Sequence, residues 1–255
     1  MNTSKYGGIF LVVTLLSMCV YPFTFSFPGG KVRVEPDPDK LERWIKKIPD
    51  WIILPSIHGR DLDGRRATFE FYTLIGVNHN YGWKFNSSEM IQDNIKFQSI
   101  EAEKFLATKF SQAGIKQRLE NAKDVISVGV ASCEGFQRIE ERRAEIRAKI
   151  IRRALEQTNI NIKGELPLLM LGQYKDENCP KGSPQDTLEQ RSIILIGVTN
   201  KEPGVNLDQS LRNAMNNIEK NTELKKDLEN YLNSSNTSPL GSLLLKKYSL
   251  FKIQI

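Results

Sequence analysis

The run Cys133-Glu134-Gly135-Phe136-Gln137-Arg138-Ile139-Glu140-Glu141-Arg142-Arg143-Ala144-Glu145-Ile146-Arg147-Ala148-Lys149-Ile150-Ile151-Arg152-Arg153-Ala154-Leu155 decides how the rest of the chain is read. At about 100° per residue, Phe136, Ile139, Ile146, Ile150, Ile151 and Ala154 gather on one side of a helix, and Arg138, Glu141, Arg142, Glu145, Lys149 and Arg152 on the other. Arg143 falls near the middle of the apolar arc, with Arg147 and Glu140 beside it. A guanidinium cannot shed its proton to escape burial, so these charges need partners. Three arrangements would supply them: an internal pair of Glu140 with Arg143, arginine stems that reach from the core margin to water, or an anionic ligand at the helix start.

Outward from this helix the pattern alternates. The apolar run Val125-Ile126-Ser127-Val128-Gly129-Val130-Ala131 before it reads as a buried strand, and Leu168-Leu169-Met170-Leu171 after Pro167 reads as another. Arg191-Ser192-Ile193-Ile194-Leu195-Ile196-Gly197-Val198 is a further strand. Upstream, 67–77 alternates, with Phe69, Phe71 and Thr73 on one face and Thr68, Glu70 and Tyr72 on the other. Between 67–77 and 125–131 the spacing predicts a helix that starts near Ser88, carries Ile91, Ile95, Phe105, Leu106 and Phe110, and stops at Gly114, with another turn or two over 115–123. Asp39 is expected to cap a short helix through Leu41, Trp44, Ile45 and Ile48, and Trp51 to Leu54 to form an edge strand. The order strand, helix, strand, helix, strand, strand predicts an α/β fold, an α+β sandwich with helices on one sheet face. Residues 207–232 then read as surface helices, and Phe251, Ile253 and Ile255 as a closing edge strand.

The chain has 255 residues, of which 40% are hydrophobic and 26% charged, with a net charge of +6. That is enough to bury a core in one domain with appendages. Acidic surfaces are favoured as neighbours, but no Lys/Arg run is interleaved with aromatics, so nucleic acid is not an expected partner. Residues 9–27 carry no charge and are long enough to cross a bilayer as an uncleaved signal anchor, followed by a Pro- and Gly-rich linker. The expected division is an anchor over 1–27, linker and short helix over 28–66, the α/β domain over 67–200, and a helical extension over 201–255. This predicts a single-pass protein of the cell membrane with its folded part in a periplasm.

Cys19 lies in the apolar stretch, which leaves Cys133 and Cys179 for the folded domain. A right-handed crossover makes the strands before these two cysteines parallel and brings their carboxyl ends to one edge, where a disulfide fits; two unrelated buried thiols are the other reading. With only His58 and His79, no closely spaced pair reads as a zinc site, and no Gly-rich phosphate loop precedes a helix. No metal and no cofactor is expected.

Val128-Gly129-Val130-Ala131-Ser132-Cys133-Glu134-Gly135 followed by Ile139-Glu140-Glu141-Arg142-Arg143-Ala144 resembles the strand, loop and Leu-Ser-x-x-Arg-Ala helix of the OmpA-like C-terminal domain. Leu171-Gly172-Gln173-Tyr174 and Gln190-Arg191-Ser192-Ile193 resemble that family's Gly-Tyr-Gly strand end and its final Asn-Arg-Arg-Val strand. The resemblance spans roughly 95–198. It implies a βαβαββ domain that grips the carboxylates of cell-wall peptidoglycan without catalysis. Arg143 matches the family's ligand-holding Arg and Glu134 stands for its Asp, with Glu140 in the Ser position and Phe136 in the Asn position. Arg147 and Glu140 complete the expected ligand set. Two alternatives stand beside it. His58-Gly59 and Ala131-Ser132-Cys133-Glu134-Gly135 resemble the His-Gly and Ala-Cys-x-Gly elements of caspase-like cysteine peptidases, which would make Cys133 a nucleophile. A ligand-free scaffold that binds a protein partner through 207–232 is the other.

Overall fold

The computed structural model describes residues 46–48, 50–54, 56–74, 81–93, 95–175, 179, 187, 189–220 and 248–255. The expected anchor over 9–27 and linker over 28–40 lie outside them, and no helix among the described residues is long and apolar enough to cross a membrane. The fold is mixed α/β, with a multi-stranded sheet and four helices.

The main sheet contains β1 (Lys46–Ile48), β2 (Trp51–Ile53), β3 (Ile57–Arg60), β4 (Arg66–Leu74), β8 (Asp124–Ala131), β9 (Leu168–Gln173), β10 (Ile193–Lys201) and β11 (Lys252–Gln254). Its order is β1-β2-β4-β10-β8-β9-β11, with β3 also on β4. β10 is antiparallel to both β4 and β8, whereas β8 and β9 run parallel. Every residue of β8 is buried, as a continuous apolar run in a central strand requires. The terminal strand β11 lies at the edge beside β9, where the alternation of 251–255 predicted an edge strand.

Helices cover both faces of this sheet, which corrects the expectation of one covered face. α1 (Ala102–Phe110), α2 (Ala113–Asn121) and α3 (Gln137–Glu156) pack with Trp51, Tyr72, Val125 and Leu195. α4 (Leu207–Lys220) lies on the other face, its Leu207, Leu211, Ala214 and Met215 buried with Phe69, Phe71, Ile126 and Ile196. The apolar stripe of α4 is therefore spent on the protein's own sheet. One glycine on each side permits the close approach of helix to strand. A Cβ on Gly129 would sit 1.8 Å from the Ala144 carbonyl oxygen of α3, and one on Gly59 would sit 1.8 Å from the Ser210 carbonyl oxygen of α4.

Two expected helices are strands. The segment read as a helix up to Ile48 ends as β1, which pairs with β2 across a turn closed by Asp50 at φ 69°. Residues 88–101 form a hairpin: β6 (Met90–Asp93) pairs with β5 (Tyr81–Trp83) and with β7 (Gln98–Glu101). Ile91 and Asp93 turn inward while Met90 and Gln92 are half-buried, a period of two that a four-residue strand cannot distinguish from a helical turn. The helix expected to stop at Gly114 already breaks at Ser111, and Gly114 lies inside α2.

Candidate functional site

The carboxyl ends of the parallel strands β8 and β9 and the start of α3 meet at one edge. The turn between β8 and α3 is fixed by main-chain groups. The Gln173 side-chain amide donates to the carbonyls of Cys133 at 2.9 Å and Gly135 at 2.7 Å, and the Cys133 N–H donates to Gln190 Oε1 at 2.9 Å. Cys133 and Cys179 form a disulfide with a Cα–Cα separation of 5.8 Å, the geometry that parallel β8 and β9 permit.

α3 buries a different stripe from the one its apolar residues outline. Phe136 and Ile139 are 83% and 48% exposed, whereas Glu140, Ala144, Arg147, Ala148, Ile151 and Ala154 face inward. The small Ala144 and Ala148 lie over Gly129, and this contact fixes the rotation of the helix. Arg147 is thereby driven almost completely inside, at 1% exposure.

Its guanidinium is held by backbone carbonyls. Nη1 donates to Val130 O at 2.8 Å, Nη2 to Ser87 O at 2.6 Å and to Lys84 O at 3.4 Å, and Nε to Ser87 O at 3.2 Å. Its cationic carbon lies 5.3 Å from the centre of the Trp83 ring. Burial pulls its pKa down to about 9, with Arg191 and Arg143 adding repulsion, so it remains charged at neutral pH. Arg191, also buried, donates from Nη1 to Trp83 O at 2.7 Å and from Nε to Thr187 O at 3.3 Å. Burial lowers its pKa too.

The two expected carboxylates sit among these cations. Glu140 is buried and paired with Arg143, one of the three arrangements the sequence left open. Burial raises its pKa against the pull of Arg143 and Arg147. Glu134 accepts a hydrogen bond from the Thr187 hydroxyl, and its buried Oε2 has no hydrogen-bond partner among the described residues. Glu134, Glu140, Arg143 and Arg147 are thus brought together, and Arg191 joins them. Arg191 was missed as a site residue because its sequence context is an ordinary strand start; the only hint was a charge placed directly before a fully apolar run.

The pair needed for a cysteine peptidase is not assembled. Cys133 Sγ is bonded to Cys179, and His58 lies on β3, separated from β8 by β4 and β10, with its Nδ1 3.0 Å from Thr68 Oγ1. No protein-family model, curated protein or solved structure matches the chain.

Proposed function

We propose that this chain is a membrane-tethered protein of a cell envelope whose folded part is a divergent OmpA-like domain, one that holds peptidoglycan or another anionic envelope ligand without catalysis. The observation that carries the reading is the cationic edge: three guanidinium groups, Arg143, Arg147 and Arg191, stand against two carboxylates, Glu134 and Glu140. Arg147 is held by neutral carbonyls, so its charge has no carboxylate bonded to it directly. The Arg143 side chain, 20% exposed, is the member of the trio from which a ligand carboxylate can accept hydrogen bonds. From Arg66 to Lys201 the main sheet and its helices run strand, helix, strand, helix, strand, strand if α1 and α2 are taken as one helical unit, which supports the family reading. The disulfide supports an oxidising compartment such as a periplasm.

The test is co-sedimentation of the full chain, purified in mild detergent, with isolated murein sacculi. The chain is expected to pellet, and Arg143→Ala is expected to weaken binding about tenfold, the loss of one charge-assisted contact. Equal pelleting of the two proteins would remove Arg143 from the site, and no pelleting of either would remove peptidoglycan as the ligand.

A further inference from the structure

The β5-β6-β7 meander has an end that the charged cluster does not use. β6 and β7 are joined by residues 94–97, and the buried Asp93 grips this turn from below: its Oδ1 accepts the backbone N–H of Ile95 at 3.0 Å and of Lys96 at 3.1 Å. Phe97 closes the turn at φ 52°, in the left-handed region that favours glycine or asparagine. A bulky side chain there is strained, and burial does not compensate it: Phe97 is 75% exposed and Ile95 is 53% exposed. The base of the same meander is fixed by Arg147 and Arg191 through the carbonyls of Trp83, Lys84 and Ser87. The result is a braced finger whose tip carries two apolar side chains and, between them, the exposed Lys96.

We infer that this tip, Ile95-Lys96-Phe97, inserts into the interfacial zone of a lipid bilayer, a reading that rests on the membrane tether proposed above. Size favours lipid over protein. A specific protein interface covers about 800 Å² on each partner, far more than two side chains supply. A bilayer interface instead rewards each inserted apolar or aromatic group singly, and anionic headgroups attract an adjacent lysine. Reach is consistent: residues 28–45, fully extended, span at most about 60 Å between the uncharged stretch 9–27 and β1. Strain at Phe97 has a function on this reading, since it aims the ring away from the protein.

The experiment uses the full chain in liposomes of phosphatidylcholine and phosphatidylglycerol, prepared with ordinary or brominated acyl chains. Trp51 and Trp83 are buried, and the emission of the parent chain, Trp44 included, is subtracted as background. In Phe97→Trp, the added emission is expected to shift to the blue and to be quenched by the brominated lipid. Ile95→Trp repeats the reading should the first substitution disturb folding, which circular dichroism checks. Leu62→Trp, at an 86% exposed position on the turn between β3 and β4, is expected to keep water-like, unquenched emission. Water-like emission at 95 and 97 overturns the inference and leaves a protein groove as the other occupant. Equal quenching at 62 overturns it as general adsorption, and a parent chain that does not float with liposomes overturns tether and tip together. Sacculus binding measured on Phe97→Trp keeps the two readings separate, because the tip can fail while the cationic edge still binds.

Discussion

At the scale of the residue, Arg147 is the side chain on which most depends. It is buried and charged, and its partners are main-chain oxygens of β8 and of the loop between β5 and β6. Removing it would leave those carbonyls unpaired in the interior and open a void beneath the Trp83 ring. Arg147→Ala is expected to cost about 3–5 kcal/mol, because hydrogen bonds to charged groups and their buried acceptors are among the larger single contributions. Urea denaturation measures the loss. Arg147→Lys keeps the charge but not the fork that reaches two strands and a loop, so it is expected to recover less than half of the difference. Limited proteolysis of both variants should cut first within 81–101, where the meander would lose its anchor.

At the scale of the element, the contact of α3 with β8 sets the site. Gly129 lets the helix backbone approach the strand, and that approach selects Ala144, Arg147 and Ala148 as the inward face. A methyl group there must push the helix outward, because the atom it meets is a backbone carbonyl at 1.8 Å rather than a side chain that can swing aside. Gly129→Ala is therefore expected to destabilise by about 2–3 kcal/mol. In a chain of this size that lowers the melting temperature by roughly 4–12 °C, readable by thermal circular dichroism. The hairpin at 88–101 teaches the same point from the other direction: its short strands exist because they pair, not because their sequence favours extended backbone.

At the scale of the whole molecule, the disulfide joins the end of β8 to the long loop that leads to β10. It closes 46 residues of chain and holds the turn that carries Glu134. The loop-closure model gives about 4 kcal/mol for a ring of that length, an upper figure where the reduced chain keeps residual structure. Reduction, or the Cys133→Ser, Cys179→Ser double substitution, is expected to lower the urea midpoint accordingly, and the reduced protein should lose sacculus binding before it unfolds. The strands also extend past the 67–200 core expected from pattern: β1 to β3, α4 and β11 all belong to the same sheet or pack upon it.

The sequence by itself determined β4, β8, α3, β9 and β10, because each is a strong local pattern whose burial on one or both faces is written in consecutive residues. It also singled out Glu134, Glu140, Arg143 and Arg147 as charges in need of partners, and Cys133 with Cys179 as a pair that fits one edge. Only the tertiary structure decided who the partners are. Arg147 bonds to carbonyls 17, 60 and 63 residues away, and no local period encodes such a contact. The inward face of α3 followed the glycine opposite it rather than its own apolar arc, leaving Phe136 and Ile139 in solvent. Arg191 entered the cluster, and α4 took the second face of the sheet, for the same reason: hydrophobic periodicity is a property of neighbours in sequence, whereas the pairing of a buried charge and the covering of a sheet face are settled by neighbours in space.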